Sequence, residues 1–116
     1  MAKIECFLKG DFYSILHEID DTIMNGNISG SCEEISSFRE GGLTCEVRTY
    51  ERYSWFGGNR VALNLTMLQR EPGGKIWFCV TTAGGSQGVF LKVNTLSESS
   101  FLSQVNKISD KYRVDR

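Results

Sequence analysis

The residues best suited to recognition chemistry gather between Tyr50 and Arg60, in the stretch Tyr50-Glu51-Arg52-Tyr53-Ser54-Trp55-Phe56-Gly57-Gly58-Asn59-Arg60. Tyr50, Tyr53, Trp55 and Phe56 supply rings, and Arg52 and Arg60 supply guanidinium groups. Tyr, Trp and Arg dominate interface energetics because each buries a large, stiff surface and keeps a polar end for hydrogen bonding. Rings beside cations also stack on bases or sit at membrane surfaces. A packing role competes with recognition. In that reading Tyr53 and Trp55 continue the inward face begun by Leu43, Cys45 and Val47. Tyr50 and Arg52 then pair across strands on the outward face.

Neighbouring strands extend the outward face with Arg48, Asn64, Thr66 and Trp77. A flat sheet face of that composition suits dimerisation or partner docking. Phe78, Phe90, Phe101 and Val105 form a second set, able to line a cavity beneath a C-terminal helix. The candidate ligand- or partner-binding residues are therefore Tyr50, Arg52, Tyr53, Trp55, Phe56, Arg60, Trp77 and Phe90.

No group of residues amounts to a catalytic signature. His17 is the only histidine and falls off the apolar stripe of its helix, facing solvent, so no triad can be assembled around it. Asp20 and Asp21 read as charges of a helix surface. Glu33 and Glu34 are neighbours on a strand and point to opposite faces, which rules them out as an acid–base dyad. Cys6, Cys32, Cys45 and Cys79 form no closely spaced pair, whereas zinc sites usually draw ligands two to four residues apart. They read as reduced, packed thiols, and neither metal nor cofactor is expected. In the run Gly84-Gly85-Ser86-Gln87-Gly88, Val89 and Phe90 stand where a phosphate loop needs Lys and Ser or Thr. A bulge or bend in the sheet is the expectation there, with close backbone approach by a ligand as the alternative.

Composition sets the outer bounds. The chain has 116 residues, enough for a single domain over 1–116 with one core. A hydrophobic share of 41% with 23% charged residues is globular usage. The net charge of -1 argues against binding nucleic acid through bulk charge. Arg48, Arg52, Arg60 and Arg70 could form a local basic patch, but Glu46, Glu51 and Glu71 lie among them. No apolar run approaches a membrane span. The first residues are too short and charged a stretch for a secretory signal, so a cytoplasmic location is expected.

The elements that must position these residues follow from periodicity. Ile4 to Lys9 reads as a strand broken by Gly10. Asp11 can cap a helix whose stripe is Phe12, Ile15, Leu16, Ile19 and Ile23, closed by Asn25-Gly26. Ile28 to Arg39 reads as a strand at a sheet edge, and Glu40-Gly41-Gly42 as a turn. Leu43 to Trp55, Arg60 to Arg70 and Lys75 to Thr82 read as strands, with Val89 to Val93 as a short fifth. Thr95 and Glu98 suit a capping box for a last helix with Phe101, Val105, Ile108 and Tyr112 in its stripe.

Turn-length connections imply antiparallel pairing. The fold class is thus α+β, in the order β-α-β(4-5)-α, with two helices packed on one face of the sheet. That element order resembles the TATA-binding-protein-like and helix-grip folds and is similar to that of small bacterial proteins. The helix-grip resemblance implies a small apolar ligand held between C-terminal helix and sheet. The expected function is therefore non-catalytic binding of such a ligand. The alternative is a self-association or protein-interaction module using the hairpin at 50–60, with a homodimer or a protein as partner. An enzyme ranks below both.

Overall fold

A computed structural model describes residues 2–25, 30–53, 60–84 and 91–114. In chain order the elements are β1 (Ala2–Leu8), α1 (Phe12–Asn25), β2 (Ser31–Glu40), β3 (Leu43–Tyr53), β4 (Arg60–Gln69), β5 (Ile76–Gly84), α2 (Leu91–Tyr112) and β6 (Arg113–Val114). The strands form one sheet in the order β2-β3-β4-β5-β1-β6. Every pairing in it is antiparallel. The α+β class and the packing of both helices on one face are as the periodicity implies.

Local chemistry explains the ends of the elements. Asp11 caps α1: the Ser14 N–H donates to its carboxylate at 3.0 Å and the Ile15 N–H to its carbonyl at 3.0 Å. The expected stripe of α1, Phe12, Ile15, Leu16, Ile19 and Ile23, is buried throughout. Gly41 and Gly42 join β2 to β3 with φ of 58° and 91°, the pair of positive values that a two-residue hairpin of the tightest kind requires. At the end of β5 a Cβ on Gly84 would stand 2.3 Å from the Arg60 carbonyl oxygen, so only glycine lets β4 approach there. Residues 85–88 of that glycine run lie outside the described residues, as does Gly26.

The core lies between sheet and helices. β4 gives it Val61, Leu63, Leu65 and Met67, β5 gives Ile76, Phe78 and Val80, β1 gives Cys6 and Leu8, and α2 gives Val105 and Ile108. At roughly 1.5–3 kcal/mol for each large apolar side chain removed from water, this layer holds the domain together.

Three expectations are corrected. First, α2 begins at Leu91, so 91–93 belong to a helix and not to a fifth strand. A short apolar run does not distinguish strand from helix by periodicity alone. Second, the chain returns to the sheet after α2: Arg113 and Val114 pair with Leu8 and Phe7. Third, β3 is turned over. Glu46, Tyr50 and Arg52 are buried beneath the helices, whereas Cys45 and Val47 are half-buried on the opposite face. Polarity alone orients β3 the other way, and here the polar residues are the ones that find partners inside.

Candidate ligand and partner surface

The covered face carries a chain of hydrogen bonds across α1, β2 and β3. The Tyr50 hydroxyl donates to Asp20 Oδ1 at 2.7 Å, and Arg48 reaches the same oxygen at 3.2 Å. Arg48 Nε also donates to Glu46 at 3.3 Å, and the Ser37 hydroxyl donates to Glu46 at 2.8 Å. Burial, then the Asp20 carboxylate, pushes the Tyr50 hydroxyl well above the ordinary tyrosine range. It remains a hydrogen-bond donor at any physiological pH. Tyr50 has 0% of its surface exposed, so its ring anchors the fold. Arg52 lies on the same face at 8% exposure, and burial pulls its pKa down.

Past this network the end of the sheet opens to a hollow of about 440 Å3 lined by Ser31, Glu33, Glu51, Arg52 and Arg60. Arg60 is exposed there and pairs with Glu51 at 3.0 Å. Tyr53 ends β3 opposite Arg60. Trp55, Phe56 and Phe90 lie outside the described residues. Of the arginines considered as a basic patch, Arg48 and Arg52 are on the covered face, while Arg60 and Arg70 stand at opposite ends of β4. Arg52 and Arg60 meet at the hollow, but the sheet does not bring all four together.

The other face of the sheet has no helix over it among the described residues. Register sets Phe38, Cys45, Leu68, Trp77 and Phe7 side by side across successive strands, ending at Val114. This apolar row is half-buried to exposed along its length. At its β5–β1 end is a depression of about 570 Å3 lined by Phe7, Leu68, Arg70, Glu71, Gly74, Lys75 and Trp77. The Lys75 ammonium sits 4.6 Å from the Phe7 ring centroid. The Trp77 indole N–H donates to Glu5 at 3.1 Å, which fixes the ring. Lys3, 3.0 Å from Glu5, and then Trp77 hold that carboxyl below its usual range. The turn above is set by the Gly74 N–H donating to the Glu71 carbonyl at 3.0 Å and by Gln69 donating to the Gly74 carbonyl at 2.9 Å. Arg70 and Lys75 are thus presented by a braced turn. Aromatic walls under cationic rims suit a flat apolar body carrying a negative group.

Trp77 is the one residue of this depression among the sequence candidates. Arg70 enters the sequence reading only as part of a basic patch. Phe7 is not legible there because β1 meets β5 across most of the chain, a pairing no local pattern announces. Leu68 and Lys75 belong to the local β4–β5 hairpin, and only the ring of Phe7 makes them part of a wall. Cys45 and Cys79 share the face. Burial raises both thiols, Glu46 adding to it at Cys45 and Glu5 at Cys79, so they act as small apolar groups more than as nucleophiles. Cys32 is on the other face, opposite Tyr50. No cluster of three or more metal-ligating side chains occurs among the described residues, and none of their helices is long and apolar enough to cross a membrane.

Among curated proteins and solved structures, nothing matches the chain. A family model does, over residues 1–113, and the chain belongs to the family it describes, DUF6054, a family of unknown function.

Proposed function

We propose that the protein is a binding protein without catalytic chemistry, and that its ligand site is the depression on the uncovered face of the sheet. The observation that carries this is the meeting of Phe7 and Trp77 with Arg70 and Lys75 around about 570 Å3. The ligand is a small molecule with a flat apolar body and one anionic group: the rings take the body, the cations the charge. A pocket between α2 and the sheet, as the helix-grip resemblance implies, has less support. Phe78 and Val105, two of its four proposed walls, are fully buried in the core. The hairpin at 50–60 as a partner site draws support from exposed Arg60, while Tyr50 and Arg52 are committed to the covered face. A reducing, cytoplasmic setting belongs to the same reading and draws support from four free cysteines.

2-Naphthoate, a flat ring system with a carboxylate, is the probe. Titrated into 15N-labelled protein, it is expected to shift the Trp77 indole and the amides of Phe7, Leu68 and Lys75 in a saturable way. Trp77→Ala and Arg70→Ala should each abolish saturation. Shifts confined to other parts of the chain, or none, refute the site.

A further inference from the structure

We propose that β2 is a self-association edge, where two copies of the chain pair β2 against β2, antiparallel, with Phe38 of each opposite Phe38 of the other. This rests on the edge itself and not on the ligand site. The sheet ends at β2 on one side and at the two-residue β6 on the other. β2 is ten residues long, and no strand lies on its outer side among the described residues. A long open edge is a template for another strand.

The hairpin geometry tells which backbone groups are free to act. A two-residue turn makes Glu40 and Leu43 the hydrogen-bonded closing pair. Register runs unbroken from Glu34 to Glu40, so Ser36 and Phe38 also bond to β3. Ile35, Ser37 and Arg39 then direct their N–H and C=O groups outward. The side chains agree: Phe38 and Ile35 are 55% and 52% exposed, among the largest apolar groups left in water. The stretch from Ile35 to Phe38 carries no charge. The devices that protect an edge, a bulge and acidic side chains, lie around Cys32 to Glu34.

Charge selects the register. In a two-fold antiparallel pair, opposite residues share a face and so share parity. A centre at Ile35 runs the bulge into the ladder. A centre at Ser36 sets Phe38 against the Glu34 carboxylate. A centre at Ser37 sets Glu34 against Glu40, like charges facing across strands. A centre at Phe38 sets ring against ring, Ser36 against Glu40 and Ser37 against Arg39, with no like charges opposed. It also puts Phe38 at a non-hydrogen-bonded pair, where opposing side chains come closest. The apolar row from Phe38 through Trp77 to Phe7 then continues, through the paired rings, into the same row of the second copy.

Sedimentation of the full-length chain tests this. The wild type is expected to sediment as a dimer, and Phe38→Glu and Ser37→Pro as monomers with unaltered circular dichroism and cooperative melting. Ser37→Pro is read against Ser37→Ala, which loses the same hydroxyl bond to Glu46 but should keep the dimer. The N–H that proline removes faces outward, so the β2–β3 ladder loses nothing. Phe38→Tyr should keep the dimer. Hydrogen exchange should show the Arg39 amide protected in the wild type and fast in Phe38→Glu. A wild type that stays monomeric at its highest soluble concentration overturns the proposal. So does a dimer that survives both disruptive variants, or one that only Leu68→Asp on the uncovered face dissolves.

Discussion

The two faces of this sheet are built from alternate residues of the same strands, yet they follow opposite rules. On the covered face Leu63, Leu65, Phe78 and Val80 are shut away completely, and the polar groups among them are held in the Asp20-Arg48-Glu46-Ser37 chain of contacts. On the uncovered face Phe7, Leu68 and Trp77 are left half-open beside cations. The first arrangement satisfies every group it can and leaves no room for a ligand at those positions. The second keeps apolar surface in water, which stabilises nothing until something covers it. With the proposed site on the uncovered face, stability and recognition divide by strand parity.

The most direct way to break that division is to make the same substitution on both faces of β4. Leu65→Ala empties a fully buried site and should cost about 2–5 kcal/mol in chemical denaturation. Leu68→Ala, three residues on and facing the other way, should stay within about 1 kcal/mol of wild type. Equal losses would mean that the second face is packed as a core and is no binding surface.

A smaller effect is expected from the polar network. Asp20→Ala leaves the Tyr50 hydroxyl buried without its acceptor and Arg48 without one of its two carboxylates, at a cost of about 1–3 kcal/mol. Tyr50→Phe removes the donor along with the need for it and should cost less. If Asp20→Ala proves the milder of the two, the network is not what holds β3 in its inverted setting.

How far the sequence foretold this division depends on the strand. In β4 Val61, Leu63, Leu65 and Met67 recur at every second position with Asn64 and Thr66 between them, so Leu65 reads inward by periodicity. In β5 the run from Ile76 to Val80 is apolar on both parities, and Phe78 reads inward with Ile76 and Val80 as one parity set. In β3 both parities are mixed, and polarity favours Leu43, Cys45 and Val47 as the inward set. That rule fails where polar groups come as partners, and the partner, Asp20, belongs to a helix that a strand pattern does not see. The depression was illegible for a related reason. Trp77 lies on a readable strand, but what makes it a wall is Phe7 across the β1–β5 register and Lys75 above that ring. The edge position of β2 was visible in its broken alternation, because an edge strand buries neither face and is under no pressure to alternate.

The mildest expected effect is on pH dependence, and on the helix side of the sheet it comes from a clasp between α1 and α2. Glu18 of α1 accepts from Lys111 and, at 2.6 Å, from the Tyr112 hydroxyl at the end of α2. The Lys111 hydrogen bond, then that of Tyr112, lowers the Glu18 carboxyl, while Glu18 raises both partners. A carboxyl lowered on folding stabilises above its unfolded pKa, near 4.5, and loses that contribution as pH falls through the folded value. The partners work in the other direction: raised on folding, they contribute below their unfolded values and lose the contribution as pH rises through the folded ones. This clasp should therefore be steady through the neutral range and weaken at both extremes. Because the groups are largely exposed, the change should be slight and should shrink in salt. Glu18→Gln should flatten the acid side of the melting-temperature profile and leave naphthoate binding on the far face untouched. A loss of binding in Glu18→Gln would show that the helices and the uncovered face are coupled, and that parity does not keep their two tasks apart.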